Sequence, residues 1–124
     1  IIYKKIDKSF PGESRNLGVK FVETELIAFL DSKTIPSKNW LCDFTNELQK
    51  KDADIYFGST KYFYKNKFQQ KIRAATFGDT SHITTPGTII KTRIVKDDNF
   101  FIENVRTADD LEWRERLIAK KYKY

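Results

Sequence analysis

The sequence predicts an α/β fold with a mainly parallel sheet and flanking helices, and three observations support this prediction. Residues 26–30 and 55–57 are short unbroken apolar runs, which is the pattern of strands that are buried on both faces. Longer segments with helical spacing lie between and after these runs, as in alternating α/β chains. Turn residues such as Pro11-Gly12 and Gly58 separate the segments.

The first third of the chain reads as strand, loop, helix and strand. Residues 1–5 are predicted to form a strand and residues 7–12 a loop. Residues 13–22 are predicted to form a helix, with Leu17, Phe21 and Val22 inward and Gly18 allowing close approach to the sheet. Residues 25–30 are the expected central strand.

The rest of the chain alternates in the same way. Ser37 is the predicted N-cap of a helix that ends at residue 50. The predicted elements that follow are a strand at 54–59, a helix or irregular segment at 61–75, a loop at 78–87, a short strand at 88–95, a turn at 96–99 and a helix at 108–121. The last helix has acids in its first turn and bases in its last, as the helix dipole favours.

Composition indicates one domain, residues 1–124, with a net charge of +6. A basic surface suits nucleic acid, an anionic membrane face or a phosphorylated substrate, although many such charges are simply solvated. No apolar run approaches the ~20 residues of a membrane helix. Cys42 is the single cysteine, so a reducing, cytoplasmic compartment is expected.

Asp31 follows the apolar run 26–30 directly and is the first candidate for chemistry. Ligands of open α/β sheets collect outside the carboxyl ends of the strands, where this carboxylate is expected to meet a metal ion or a substrate. The alternative is a strand-end residue that only caps the helix beginning near Ser37.

Three motifs in order suggest a family. Arg15-Asn16-Leu17-Gly18 opens the series, Phe29-Leu30-Asp31-Ser32 follows with Trp40-Leu41 behind it, and Asp109-Asp110-Leu111-Glu112-Trp113 enters the last helix. In this order the chain resembles the inverting family 2 glycosyltransferases of GT-A fold, over residues 9–117. The resemblance implies transfer of a sugar from a nucleotide-diphosphate-sugar donor to a glycan, lipid-linked or small-molecule acceptor, with peripheral association at the inner face of a membrane and without nucleic acid.

The resemblance also implies an incomplete domain. In GT-A enzymes the first strands hold much of the nucleotide site and precede the region that matches here. The chain has no Met and opens on Ile1. We therefore expect residues 1–124 to be the central and acceptor-side part of a catalytic domain.

The acidic pair of the family maps onto Asp109 and Asp110. The resemblance implies that Asp110 is the catalytic base, which takes the proton of the acceptor hydroxyl, and that Asp109 supports it. Repulsion between adjacent carboxylates raises the proton affinity of one of them, which suits this role. The alternative is that both acids merely decorate a helix N-terminus.

Donor-side residues follow from the same resemblance. Arg15 matches an arginine that lies against the base or ribose of the nucleotide, and Asn16 beside it is expected to shape the helix start. His82 lies in a segment that passes close to the donor sugar in GT-A enzymes, although a single loop histidine is often just solvated. Trp113 either stacks on an acceptor sugar or belongs to the core.

Lys33 departs from the family pattern. The strand end usually reads Asp-x-Asp, and its last Asp binds the Mn²⁺ or Mg²⁺ that bridges the diphosphate, whereas this chain reads Asp31-Ser32-Lys33. An ammonium cannot ligate a cation that requires oxygen ligands. Three interpretations follow: Asp31 and another residue hold the metal, Lys33 itself neutralises the diphosphate, or the protein is a non-catalytic binding module.

A basic nucleic-acid-binding domain, using Lys61-Tyr62-Phe63-Tyr64-Lys65, is the alternative from another functional class.

Overall fold

The computed structural model of the chain describes residues 2–76 and 82–124. The elements in chain order are helix α1 (Pro11–Lys20), strand β1 (Leu26–Ala28), helix α2 (Trp40–Lys51), strand β2 (Ile55–Thr60), helix α3 (Lys67–Thr76), strand β3 (His82–Lys91), helix α4 (Thr92–Lys96) and helix α5 (Asp109–Ala119).

The described strands form one sheet in the order β1-β3-β2. Ile27 of β1 and Ile55 of β2 both pair with Ile90 of β3, so β3 is central. Both pairings are antiparallel. The described residues therefore do not form the mainly parallel sheet that the sequence predicts, and residues 25–30 do not provide the central strand. An apolar run reports burial but not strand direction, which explains this error.

Burial on both faces holds for the central strand β3, whereas the predicted two-sided burial of residues 26–30 is wrong, because β1 is an edge strand with Ala28 exposed. Ile90 faces a core formed with α1, α4 and α5, which includes the fully buried Trp113 and Leu117. Ile89, its neighbour, faces the opposite side and packs with Leu48 of α2. Successive residues of a strand point to opposite faces, so this pair alone shows that helices cover both sides of the sheet. The prediction of a sheet flanked by helices is thus met in the described residues, although their strand pairing is antiparallel.

An irregularity in β3 brings its backbone close to two other strands. The register shifts between Tyr56 and Gly58 of β2, and Gly87 in the facing part of β3 has a φ of +87°. A Cβ atom at Gly58 would lie 2.1 Å from the carbonyl oxygen of Pro86, so a side chain has no room there. The Gly87 amide donates to the Phe29 carbonyl at 2.8 Å, which ties this bulge to the end of β1.

Several boundaries differ from the sequence-based expectations. Residues 2–5 lie outside any helix or strand, and α2 begins at Trp40 rather than at Ser37, whose carbonyl accepts the Trp40 amide at 3.1 Å. The predicted loop is strand from His82 onward, while its residues 78–81 lie outside the described residues. The predicted strand at 88–95 becomes helix at Thr92.

Candidate functional site

Three segments that are distant in sequence meet around the side chain of Arg15. Its Nη1 donates to Oδ2 of Asp109 at 2.6 Å, and its Nη2 lies 3.5 Å from Oδ1 of Asp31. Arg15 belongs to α1, Asp31 follows β1, and Asp109 is the first residue of α5. The three sequence motifs therefore converge on one guanidinium group.

The two carboxylates around Arg15 differ in exposure. The side chain of Asp109 is 5% exposed and that of Asp31 is 52% exposed. Burying an ionised carboxylate is costly unless it is paired and hydrogen-bonded, and Arg15 supplies both to Asp109. The position of Asp109 in the first turn of α5 adds the favourable helix dipole. Asp109 is thus a fixed, compensated charge.

Asp110 is placed differently from its neighbour. It is half-buried, and its Oδ1 accepts the backbone amide of Leu111 at 2.9 Å. That contact is local to α5 and lies on the exposed side of the helix start. Whereas Arg15 binds the Asp109 carboxylate, the Asp110 carboxylate keeps oxygen lone pairs that can accept a proton.

The buried face of α1 consists of Gly12, Asn16 and Val19, spaced as one side of a helix. This differs from the predicted face, since Phe21 is 42% exposed and a Cβ atom at Gly18 would meet nothing within 4 Å. The close approach occurs at Gly12 instead, where a Cβ atom would lie 2.5 Å from the Ile102 carbonyl oxygen.

Asn16 holds the segment that leads into α5, a role that the sequence reasoning missed. Its Nδ2 donates to the Phe101 carbonyl at 2.8 Å and to Oε1 of Glu103 at 2.9 Å, and its Oδ1 accepts the Phe101 amide at 2.8 Å. Asn16 is 2% exposed, so these bonds satisfy polar groups that water cannot reach. Its place beside Arg15 was the only available signal, and the helix-start role predicted for it is wrong.

A cluster of aromatic rings in the core packs next to the site. Phe101 stacks on Trp113 with ring centroids 4.4 Å apart, and Phe29 meets both rings edge-on at 5.4 and 5.6 Å. Trp113 is fully buried, and its Nε1 donates to the Asn99 carbonyl at 2.7 Å. Of the two alternatives for Trp113, the core position is confirmed. The cluster joins the end of β1 to α5, and so fixes Asp31 relative to Asp109.

The first turns of α5 are held by an ion pair one turn beyond the acids. Arg116 Nε donates to Oε1 of Glu112 at 2.7 Å, and Arg116 Nη2 donates to the Phe100 carbonyl at 2.6 Å. The hydrogen bond from Arg116 lowers the pKa of Glu112, and the same bond raises the pKa of Arg116. Both groups therefore remain charged over a wider pH range than they would in the unfolded chain.

Lys33 lies in the exposed turn after β1. The Thr34 amide donates to the Asp31 carbonyl at 2.9 Å, which closes this turn. Asp31, Ser32 and Lys33 are all exposed, and the Asp31 carboxylate lies 3.5 Å from the Arg15 guanidinium.

His82 lies apart from these acids, at the first position of β3. Its ring centroid is 6.3 Å from that of Tyr62, and it lines a cleft of about 630 Å³ together with Tyr124 and Arg114. Arg114 is one helical turn beyond Asp110 on α5, and its Nη1 donates to the Ile83 carbonyl at 3.1 Å. This hydrogen bond joins α5, whose first turn carries the acidic pair, to the start of β3, which carries His82.

The residues around Arg15 do not fit a divalent-cation centre. Such a cation requires several oxygen ligands, and both nearby carboxylates face the Arg15 guanidinium. Within residues 2–76 and 82–124, no three Asp, Glu, His or Cys side chains gather in a way that could hold a metal. We therefore assign no step of a reaction to a metal held by these residues.

Comparison with known proteins adds one positive finding. The family model described as Glycosyl transferase family 2 matches residues 1–107. No curated protein and no solved structure matches the chain. None of the helices in the described part of the chain has the length and apolar character needed to cross a bilayer.

Proposed function

This chain belongs to glycosyl transferase family 2, and from that premise we propose that it moves a sugar from a nucleotide-diphosphate-sugar donor to a glycan, lipid-linked or small-molecule acceptor with inversion. The observation that carries the proposal is the contact of Arg15 with both Asp31 and Asp109, at 3.5 and 2.6 Å. It links the end of a strand with the start of an acidic helix, where donor and acceptor groups could meet. Holding two reactants in line is a large part of catalysing such a transfer.

Asp110 is the proposed base. The acceptor oxygen attacks the anomeric carbon of the donor, its proton passes to an Asp110 carboxylate oxygen, and the bond from that carbon to the diphosphate oxygen breaks. The new bond forms on the opposite face, which inverts the anomeric centre. Arg15 binds the Asp109 carboxylate at 2.6 Å, whereas the Asp110 carboxylate accepts the local Leu111 amide, and we therefore assign the role of base to Asp110.

Arg15 and Asp109 act as positioning residues in this scheme. Their ion pair fixes the N-terminus of α5, and with it the direction in which Asp110 projects. The Arg15 side chain is 18% exposed, and we assign the nucleotide contact to that exposed part of it.

The diphosphate leaving group requires positive charge beside it. Lys33 is exposed in the turn after Asp31 and is the proposed source of that charge. A contact of His82 with the donor sugar is proposed from the family resemblance alone. Mn²⁺ or Mg²⁺ dependence would then require ligands other than the carboxylates that Arg15 contacts.

The proposed setting is the cytoplasm, at the inner face of a membrane. Cys42 is a free, exposed thiol, as is common in a reducing compartment. A lipid-linked acceptor would place the substrate at that face.

A non-catalytic GT-A-like binding module is the second candidate, and Lys33 is the observation that favours it. A protein that only binds a nucleotide sugar or a glycan needs no metal-binding Asp at that position. The two candidates differ in turnover and not in binding.

Transfer from a panel of radiolabelled nucleotide-diphosphate sugars, measured on the product of the complete reading frame, tests the proposal. We expect one donor to yield a product whose anomeric configuration, read by NMR, is opposite to that of the donor. Donor binding without turnover would select the binding module, and a product of retained configuration would contradict the proposed mechanism.

A further inference from the structure

Residues 61–75 form a surface, here called the basic aromatic surface. Several of its large apolar side chains are exposed to solvent. Phe63 is 90% exposed, Phe68 is 72% exposed and Ile72 is 47% exposed. Single exposed apolar residues are common on soluble proteins, whereas a group of them on one helix face, as at Phe68 and Ile72, marks an interaction site.

The exposed apolar residues of α3 lie on one face of the helix. Phe68, Ile72 and Ala75 are spaced by four and three residues, so they share one face of the helix. All three are exposed, while Arg73 on the opposite side is buried, with its guanidinium carbon 5.5 Å from the Tyr64 ring centroid. The apolar face of α3 is therefore turned away from the protein.

The charge of the same surface has a single sign. Residues 61–73 contain five basic and no acidic residues. Lys65, Lys67 and Lys71 are exposed, and the last two lie on the side of α3 next to the apolar face. An apolar face bordered by lysines is the pattern of helices that lie in the interface of an anionic bilayer.

We propose that the basic aromatic surface docks this protein on an anionic lipid membrane. Phe63 and Phe68 enter the headgroup region, and Lys65, Lys67 and Lys71 contact the anionic headgroups. The proposal stands on exposure and charge alone and does not depend on the glycosyl transfer proposed above.

A bilayer fits this surface better than a nucleic acid does. Single-stranded nucleic acids bind by stacking bases on aromatic rings in a charged groove. Here the aliphatic Ile72 shares the exposed face with Phe68 and offers no ring for stacking. The apolar face is also convex, because it is the outer side of a helix.

Co-sedimentation with vesicles tests the proposal on the full chain. Mixed phosphatidylglycerol and phosphatidylcholine vesicles are compared with vesicles of phosphatidylcholine alone. We expect binding to the mixed vesicles to fall at least about tenfold in Phe63→Ser/Phe68→Ser and in Lys65→Gln/Lys67→Gln/Lys71→Gln. Circular dichroism verifies that each variant is folded.

Matched controls change the same chemistry elsewhere on the surface. Ile35→Ser/Leu41→Ser removes exposed apolar groups, and Lys8→Gln/Lys20→Gln/Lys38→Gln removes the same charge. Both controls are expected to bind like the parent. Equal losses in controls and surface variants would overturn the proposal, because binding would then follow net charge or hydrophobicity alone.

A second measurement reports insertion directly. In Phe68→Trp, brominated lipids in the mixed vesicles should quench the new indole beyond any quenching of the parent protein. Absence of added quenching would overturn the proposal. Binding of a single-stranded oligonucleotide through this surface, without binding of the mixed vesicles, would overturn it as well and would assign the surface to nucleic acid.

Discussion

Arg15 and Asp109 are 94 residues apart in the sequence, yet their side chains form a 2.6 Å ion pair whose carboxylate is almost fully buried. The pair joins the helix after the first loop to the helix that carries the acidic pair. The pair also distinguishes the two acids of α5, because Arg15 binds the carboxylate of Asp109 and not that of Asp110.

Removing Arg15 should cost much more than removing its second partner. Arg15→Ala leaves the buried Asp109 charge uncompensated, for which we expect a loss of about 3 kcal/mol in the free energy of unfolding. Asp31→Ala breaks an exposed contact at 3.5 Å and should cost at most about 1 kcal/mol. Urea denaturation of both variants measures the difference.

A double-mutant cycle separates the ion pair from the effects of each truncation. Arg15→Ala/Asp109→Ala should be destabilised by less than the sum of the two single variants, by about 1 kcal/mol or more. Additive losses would show that the two side chains do not interact in solution.

Two glycines of α1 provide a matched test of helix packing. Gly12→Ala should destabilise the protein by about 1–3 kcal/mol, because its new methyl group would meet the Ile102 carbonyl oxygen at 2.5 Å. Gly18→Ala meets nothing within 4 Å and should stabilise the protein by about 0.5–1 kcal/mol through helix propensity. Thermal unfolding compares them, and equal effects would refute the packing described here.

The Glu112–Arg116 pair should contribute a pH-dependent increment of stability. Folding lowers the pKa of Glu112, so its stabilisation is present above the ordinary glutamate pKa and is lost as the pH falls through the lowered value. Glu112→Gln should therefore cost about 0.3–0.5 kcal/mol at neutral pH, as other partly exposed helix pairs do. Urea denaturation between neutral and acidic pH should show this difference disappearing; a difference that grows on acidification would have the wrong sign.

Lys33 should make donor binding less dependent on divalent metal. If its ammonium stabilises the diphosphate, a chelator weakens donor binding only modestly, whereas Lys33→Ala weakens it by about tenfold or more. Lys33→Asp should install metal dependence, because a carboxylate that does not face Arg15 could hold Mg²⁺ together with the diphosphate oxygens of the donor. Isothermal titration with and without chelator measures both.

The opposite pattern would make Lys33 a bystander. If chelator abolishes donor binding and Lys33→Ala has no effect, the positive charge beside the diphosphate comes from a metal with other ligands. Lys38→Ala, a nearby exposed lysine, serves as the control for a general loss of charge.

The sequence predicted the elements well where their periodic signals were long. The predicted helix at 108–121 corresponds to Asp109–Ala119, and the buried strand at 54–59 corresponds to Ile55–Thr60. It failed on sheet direction, since Ile27 and Ile55 pair antiparallel with Ile90. Pairing depends on which distant strands meet, and local apolar runs do not contain that information.

At the candidate site, the structure brings Arg15, Asp31 and Asp109 of the three motifs into contact, but the motifs did not predict those contacts. Arg15 was expected against a nucleotide, and the structure shows it against two carboxylates. The hydrogen bonds of Asn16 to Phe101 were missed, because they satisfy a backbone 85 residues away that no local pattern predicts. Pro11-Gly12 predicts a turn, whereas Gly12 lies in α1 and allows a close approach to the Ile102 carbonyl.

In the proposed mechanism Asp110 accepts the acceptor proton while Asp109 holds the helix in place. The decisive measurement is the rate of sugar transfer by Asp110→Asn in the product of the complete reading frame, with nucleotide binding measured alongside. We predict that transfer falls by about 10²–10⁴ while nucleotide binding changes by a few fold at most, because the amide keeps the shape of the carboxylate but cannot take a proton. Retention of more than about a tenth of the parent rate would contradict the assignment of Asp110 as the base, since it lies far above what loss of a general base allows.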